Sequence, residues 1–176
     1  MATFGIDSVR SLPDFQQLYK WDLQFLQLPA VGPFGFPLAN GLNLRCESTT
    51  LPNVSNQKIE VYQKGHKVFQ PGISEYNGTL DLVFTETVDN FVHQFLLAWR
   101  EMIWATRSGQ SFAKEDIEAV IQITRLNAQD EPIWEYNMKG VFLEAYDLGS
   151  LESSASDIMR PSVTLSYDYF AEKPII

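Results

Sequence analysis

Hydrophobic and polar positions alternate along much of this chain, and in one stretch the period changes. From Thr79 to Thr85, Leu80, Leu82 and Phe84 fall on one face and Thr79, Asp81 and Thr85 on the other. That two-residue period is the mark of a half-buried strand. Beyond it Val88, Phe91, Val92, Phe95, Leu96, Trp99, Met102 and Ile103 recur every three or four residues, while Asp89, Asn90, His93, Gln94, Arg100 and Glu101 fill the other side. The spacing predicts an amphipathic helix of about five turns reaching Arg107. Thr87 is placed to cap it, Asp89 to meet its positive end and Gly109 to stop it. Eight large apolar side chains at roughly 1.5–3 kcal/mol each give about 12–24 kcal/mol of gross burial, an upper bound. No other helix signal is as strong, so this element reads as a lid on an otherwise β protein.

The same two-residue period predicts further strands. Trp21, Leu23 and Phe25 oppose Asp22 and Gln24 over 21–28, and Leu42, Leu44 and Cys46 oppose Asn43, Arg45 and Glu47 over 42–49. Between them, 29–41 holds three prolines and three glycines and is expected to be a loop, with Phe34, Phe36 and Leu38 unusually apolar for one. Residues 53–78 read as a hairpin-like arm: a strand over Lys58–Tyr62, a turn over 63–67 and a second turn over 70–73. After a polar linker (108–115), strands are expected over 119–126, 133–139 and 141–148, with Gly140 as a bulge or bend and 127–132 as a hairpin connection. A Ser-rich loop leads to a last strand, where Val163, Leu165, Tyr167 and Tyr169 alternate with Ser162, Thr164, Ser166 and Asp168. The opening segment, 1–20, has no firm period beyond a short helix after Pro13. The order predicts a single domain over 1–176: a mainly β, antiparallel sandwich or barrel with one flanking amphipathic helix.

Composition narrows the function more than it supplies one. Thirteen Lys and Arg against 22 Asp and Glu leave a net charge of −9, the wrong sign for gripping phosphate backbones. One cysteine rules out an internal disulfide framework, and neither a secretory leader nor an apolar run of membrane-spanning length is visible. Two histidines, His66 in a turn and His93 on the helix, lie in different elements, and Cys46 sits on the apolar side of its strand. There is no nucleophile elbow and no Gly-rich phosphate loop. The sequence therefore argues for no enzyme, no metal and no cofactor. What it carries in surplus is apolar surface: Phe142, Tyr146 and Leu148 occupy the face opposite Val141, Leu143 and Ala145, and the loop phenylalanines add to them. Apolar groups on both faces of a small sheet point to contacts with other chains, with Phe34, Phe36, Phe142 and Tyr146 as candidates.

Four stretches taken together resemble the tail tube proteins of contractile-tailed bacteriophages. They are 42–52 ending in Leu51-Pro52, the arm from Lys58 through Phe69, the strand-then-helix unit 79–104 with Asp89-Asn90, and the C-terminal pair 138–142 and 162–169. Their order and spacing, not any single motif, carry the likeness over roughly 21–170. The resemblance implies hexameric rings stacked into a hollow tube inside a sheath, conducting viral double-stranded DNA into the host cell on contraction. It also implies an arm that reaches the adjacent ring, with Lys58, Tyr62, Lys64, His66 and Phe69 as contact candidates. Implied partners are further copies of the chain, the sheath, a baseplate or tube initiator, a tail terminator and passing DNA, with no stable membrane insertion. The implied location is the virion tail, assembled in bacterial cytoplasm. Six copies at −9 each make about −54 per ring, a field that screening confines to about 8 Å at physiological salt. Glu47, Asp81 and Glu135 are candidates for a repelling lumen wall. Two other readings stand beside this one: a tube subunit of a secretion system or tail-like particle delivering protein effectors, and a monomeric β-barrel holding a small apolar ligand.

Overall fold

The computed structural model describes residues 6–29, 36–154 and 156–175, and the side chains of all of these save positions 8, 9 and 36–38. Its frame is one long strand, β7 (Pro132–Asp147), which belongs to two sheets. The first half of β7 pairs antiparallel with β6 (Ala119–Leu126), aligning Ile123 with Tyr136 and Ile121 with Met138. The second half pairs with β8 (Ser162–Ser166), aligning Phe142 with Ser166. β1 (Trp21–Gln27) extends the first sheet from β6, and β5 (Thr79–Phe84) then β2 (Cys46–Thr49) extend the second from β8. β9 (Tyr169–Pro174) lies along the first half of β7. The sheet does not close, so of the two predicted architectures the chain adopts the sandwich.

β8 and β9 hold one register on β7, with Phe142 opposite Ser166 and Lys139 opposite Tyr169. The predicted single strand over 162–170 is thus continuous in pairing but broken at Tyr167 and Asp168, where β7 bends at Gly140. Past the break Tyr169 turns outward, against the expectation that it faced the core. Gly140 has φ +67, and a β-carbon there would collide with the Asp168 carboxylate. Gly140→Ala therefore meets both a disfavoured backbone and a blocked space. The expected cost is about 1–3 kcal/mol, read as a lower denaturant midpoint at unchanged slope.

The alternating positions close on one core, with Leu23, Phe25, Leu80, Leu82, Phe84, Ile121, Ile123, Met138, Val141, Val163 and Leu165 all buried. Helix α3 (Phe91–Ile103) seals it with Val92, Phe95, Leu96, Trp99 and Met102. α3 is shorter than its apolar period suggests, at 13 residues. Val88 is fully exposed, and Asn90 takes left-handed angles (φ 54, ψ 39) that end any helix before it. Thr87 is not the cap, since its hydroxyl bonds the Asp89 carboxylate. Glu86 supplies the cap from further upstream, its carboxylate accepting the N–H groups of Val92 at 3.1 Å and His93 at 2.8 Å. Gly109 serves the turn after Ala105 instead of the helix end, which falls at the extended Trp104.

Two further expectations fail. Residues 36–45 form helix α2 (Phe36–Arg45) where a loop and then a strand were expected. Pro37 falls in the first turn, where its missing N–H is tolerated. Ala39 and Leu42, three apart, are buried against β1 while Leu44 points out, so the apparent alternation of Leu42, Leu44 and Cys46 spans a helix-to-strand junction. No helix forms over 14–19; a single-turn α1 (Ile6–Arg10) lies earlier. A second short helix, α4 (Lys114–Ile117), interrupts the predicted linker, and its Ile117 carbonyl receives the buried Trp99 indole N–H at 2.8 Å.

Candidate assembly surface

The arm is a two-stranded hairpin apart from the main sheet, β3 (Val54–Gln63) and β4 (His66–Tyr76). Its turn has positive φ at both central residues, Lys64 (48°) and Gly65 (82°), the geometry whose twist matches that of paired strands. The expected second turn at 70–73 is absent. β4 continues through Pro71 and Gly72, with a register shift between Asn56 and Lys58. A proline without an N–H to give is accommodated at such an irregularity.

Pairing sorts the side chains onto two faces. Lys58, Glu60 and Tyr62 share one with Lys67 and Phe69; Ile59 and Val61 share the other with Val68 and Gln70. On the first face the Lys58 and Lys67 ammonium groups lie 4.4 and 5.1 Å from the Phe69 ring centroid, and Glu60 binds Lys67 at 2.8 Å. The structure thus brings together Lys58, Tyr62 and Phe69 of the five arm candidates. Lys64 sits in the turn and His66 on the opposite face, paired with Gln63. The aliphatic face was missed by the sequence reading, although the alternation of Ile59 and Val61 with Lys58 and Glu60 marks it.

Apart from each other, β3 and β4 make no extensive contact with any described element. Tyr62 is 70% exposed, Phe69 52% and Ile73 73%. An isolated two-stranded ribbon is marginal in water, and this one shows water apolar groups on both faces. Within 54–76, Lys58, Lys64 and Lys67 outweigh Glu60 and Glu75 by one charge, which leaves −10 on the rest of the chain. The arm is mildly basic and the body strongly acidic.

The other candidates are dispersed. Phe34 lies outside the described residues; Phe36 opens α2, its side chain likewise outside them. Phe142 is half-buried with the Lys114 ammonium 5.8 Å from its ring. Tyr146, expected on the same face as Phe142, instead pairs with buried Val163 and packs against the core, because the register shifts between Leu143 and Ala145. Glu47 and Asp81 share the outer face of the β8–β5–β2 sheet, whereas Glu135 lies on the outer face of the other. Glu47 is bound by Arg160 at 3.0 Å and Glu135 by Lys173 at 3.0 Å. Asp81 accepts only a hydroxyl, that of Thr164 at 2.8 Å, among its described bonds through the carboxylate. Around it this sheet face is built of Thr79, Thr164, Ser166 and Glu144, with the Ser166 hydroxyl bonded to Glu144. Val83 and Phe142 share this face, the latter directly opposite Ser166, so it mixes hydroxyls and carboxylates with two apolar side chains.

Among the described residues, no group of three or more His, Cys, Asp or Glu is placed to hold a metal ion. Burial pushes the Cys46 thiol up to about 12, which keeps it protonated at neutral pH and a poor nucleophile.

Comparison with known proteins bears on the fold and the family. A search of curated proteins by sequence returned no match. Among solved structures, the anti-feeding prophage tube-terminating cap superposes with a TM-score of 0.63 at 15% identity, covering 94% of this chain and 95% of that one. A chain of the sheath–tube complex of an extracellular contractile injection system gives 0.59 at 17%, covering 99% and 100%. A chain from that system's sheath/tube terminator gives 0.63 at 15%, covering 93% and 99%. At such identities the likeness speaks to fold. The family profile of phage tail tube proteins matches residues 19–173, nearly the whole chain. The chain belongs to the phage tail tube protein family.

Proposed function

We propose that six copies of this chain form a ring, that rings stack into a hollow tube within a sheath, and that the tube conducts double-stranded DNA on contraction. The observation that carries this reading is the arm: a ribbon with apolar side chains on both faces and no body of its own to lie on. A second copy with an acidic body is the partner that fits it in charge. On this reading the chain works as a structural subunit, assembled in bacterial cytoplasm from an initiating baseplate, ended by a terminator and enclosed by sheath protein. Phe142 and Tyr146 are then side chains for lateral contacts within a ring. Negative-stain electron microscopy beside sedimentation tests it. Rings or hollow tubes are the expected result, and a chain that stays monomeric at high concentration even with its initiator supplied overturns it.

The cargo turns on the wall. The hydroxyl-and-carboxylate face around Asp81 suits a lumen along which phosphates slide without sticking, because a negative wall repels them within about 8 Å. Asp81→Lys places a cation where DNA would pass and is expected to slow its ejection, measured as DNA release from assembled particles. An unchanged rate removes Asp81 from the wall. The competing cargo, a protein effector, is favoured by the likeness to tubes and caps of contractile injection systems. The ligand-binding barrel loses its basis, since the sheet is open and the space between the layers is filled by Trp99, Phe84 and Met138.

A further inference from the structure

Where β4 ends, the arm meets the body through a built joint. At its base Tyr76 stacks on Tyr167, with ring centroids 5.9 Å apart and 11° between planes, and meets Phe170 edge-on at 6.2 Å. Tyr167 and Phe170 are themselves edge-to-face at 6.1 Å, closing a three-ring socket. The Tyr76 hydroxyl donates to the carbonyl oxygen of Asp168. The connection to β5 is held as well: the Tyr167 N–H donates to the Gly78 carbonyl at 2.8 Å, and the Tyr167 hydroxyl to Asn77 Oδ1 at 3.1 Å.

Asp168 ties this joint to the rest of the fold through three different groups. Its carbonyl holds Tyr76, its N–H donates to the Lys139 carbonyl at 3.1 Å, and both its carboxylate oxygens accept from Lys114 on α4. The carboxylate occupies the space that Gly140 leaves empty. One residue at the sheet's bend thus touches the arm, β7 and α4 together.

We infer that Asp168, oriented by Lys114, is a positioning residue that fixes through Tyr76 the angle at which the arm projects. This rests on the reading that the arm engages a second copy. Angle matters because the arm is a lever. Ten residues at about 3.3 Å each reach about 33 Å, so a swing of about 10° moves the tip about 6 Å, more than the spacing of neighbouring strands. A ribbon free to swing that far offers its faces to the wrong row of a partner's groups. Pre-setting the angle removes that search and its entropy from the assembly step.

The joint is tested by the distance between spin labels at Gln63→Cys near the arm tip and Gln94→Cys on α3, with Cys46 replaced by Ser. Labelled protein is diluted in unlabelled protein so that only distances within one copy are read. The parent is expected to give one narrow distribution. Tyr76→Ala and Lys114→Ala are expected to broaden it about twofold or more, as a base freed of its packing should, while Lys114→Arg restores the narrow form. Lys114 is exposed, so its loss leaves the core untouched. Distributions unchanged in both alanine variants overturn the proposal, whatever the tubes do. Broadened distributions with tubes growing at the normal rate leave the joint standing and overturn the arm as a bridge between copies.

Discussion

Trp99→Ala is expected to cost about 3–5 kcal/mol. Trp99 is wholly buried and is the largest of the fully buried side chains. It touches Phe95 at 5.3 Å between ring centroids, and Phe95 in turn meets Phe25 of β1 edge-to-face at 6.2 Å. Truncation therefore opens a cavity where the helix meets the first sheet. It also strips the Ile117 carbonyl of its indole donor, held at 2.8 Å. For a chain of this size each kcal/mol moves the melting temperature by about 2–4 °C, so a fall of roughly 6–20 °C is expected. Trp99→Phe separates the two parts, since it keeps most of the ring and loses only the N–H, and should cost about 1–2 kcal/mol. The melts belong at a concentration where the chain is monomeric, because association would add its own stability. A wild-type melting curve for Trp99→Ala would mean that α3 does not close the core.

The elements legible in the sequence are those whose burial is one-sided. Leu23 and Phe25, Leu80, Leu82 and Phe84, and Val163 and Leu165 each show a period that one face of a sandwich imposes, and each is buried as read. Where two elements meet inside one apolar run, the period misleads. Leu42 belongs to α2 and Cys46 to β2, yet their spacing imitates one strand. Helix α3 was read three residues too early because its cap is Glu86, outside the helix, and because nothing local shows that Asn90 turns left-handed. The Gly140 bend was visible, but not that Asp168 fills it, since that contact joins positions 28 apart in the chain. The arm was legible as a hairpin, and its basic-aromatic face in part. Its isolation from the body was not, because a sequence shows which side chains alternate and not what fails to pack against them.

Removing the arm should separate assembly from folding. Replacing residues 57–73 with an Asn-Gly turn joins Asn56 to Ser74, which already face each other across β3 and β4. A two-residue turn of that type suits the twist of the short hairpin left behind. None of the removed side chains is buried, and the Tyr76 socket is retained, so the body should melt within a few degrees of the parent. Tube growth should fall to nothing detectable by electron microscopy, since Tyr62, Phe69, Ile59 and Val68 go together with every lysine of the arm. Because the stub keeps the fold, loss of tubes cannot be laid to unfolding. Rings that form singly and fail to stack would place the arm's contacts between rings. Monomers alone would place some of them within a ring, where Phe142 and Tyr146 were expected to act. Tubes of normal length from the truncated chain would show that its exposed apolar faces are not what joins one copy to the next.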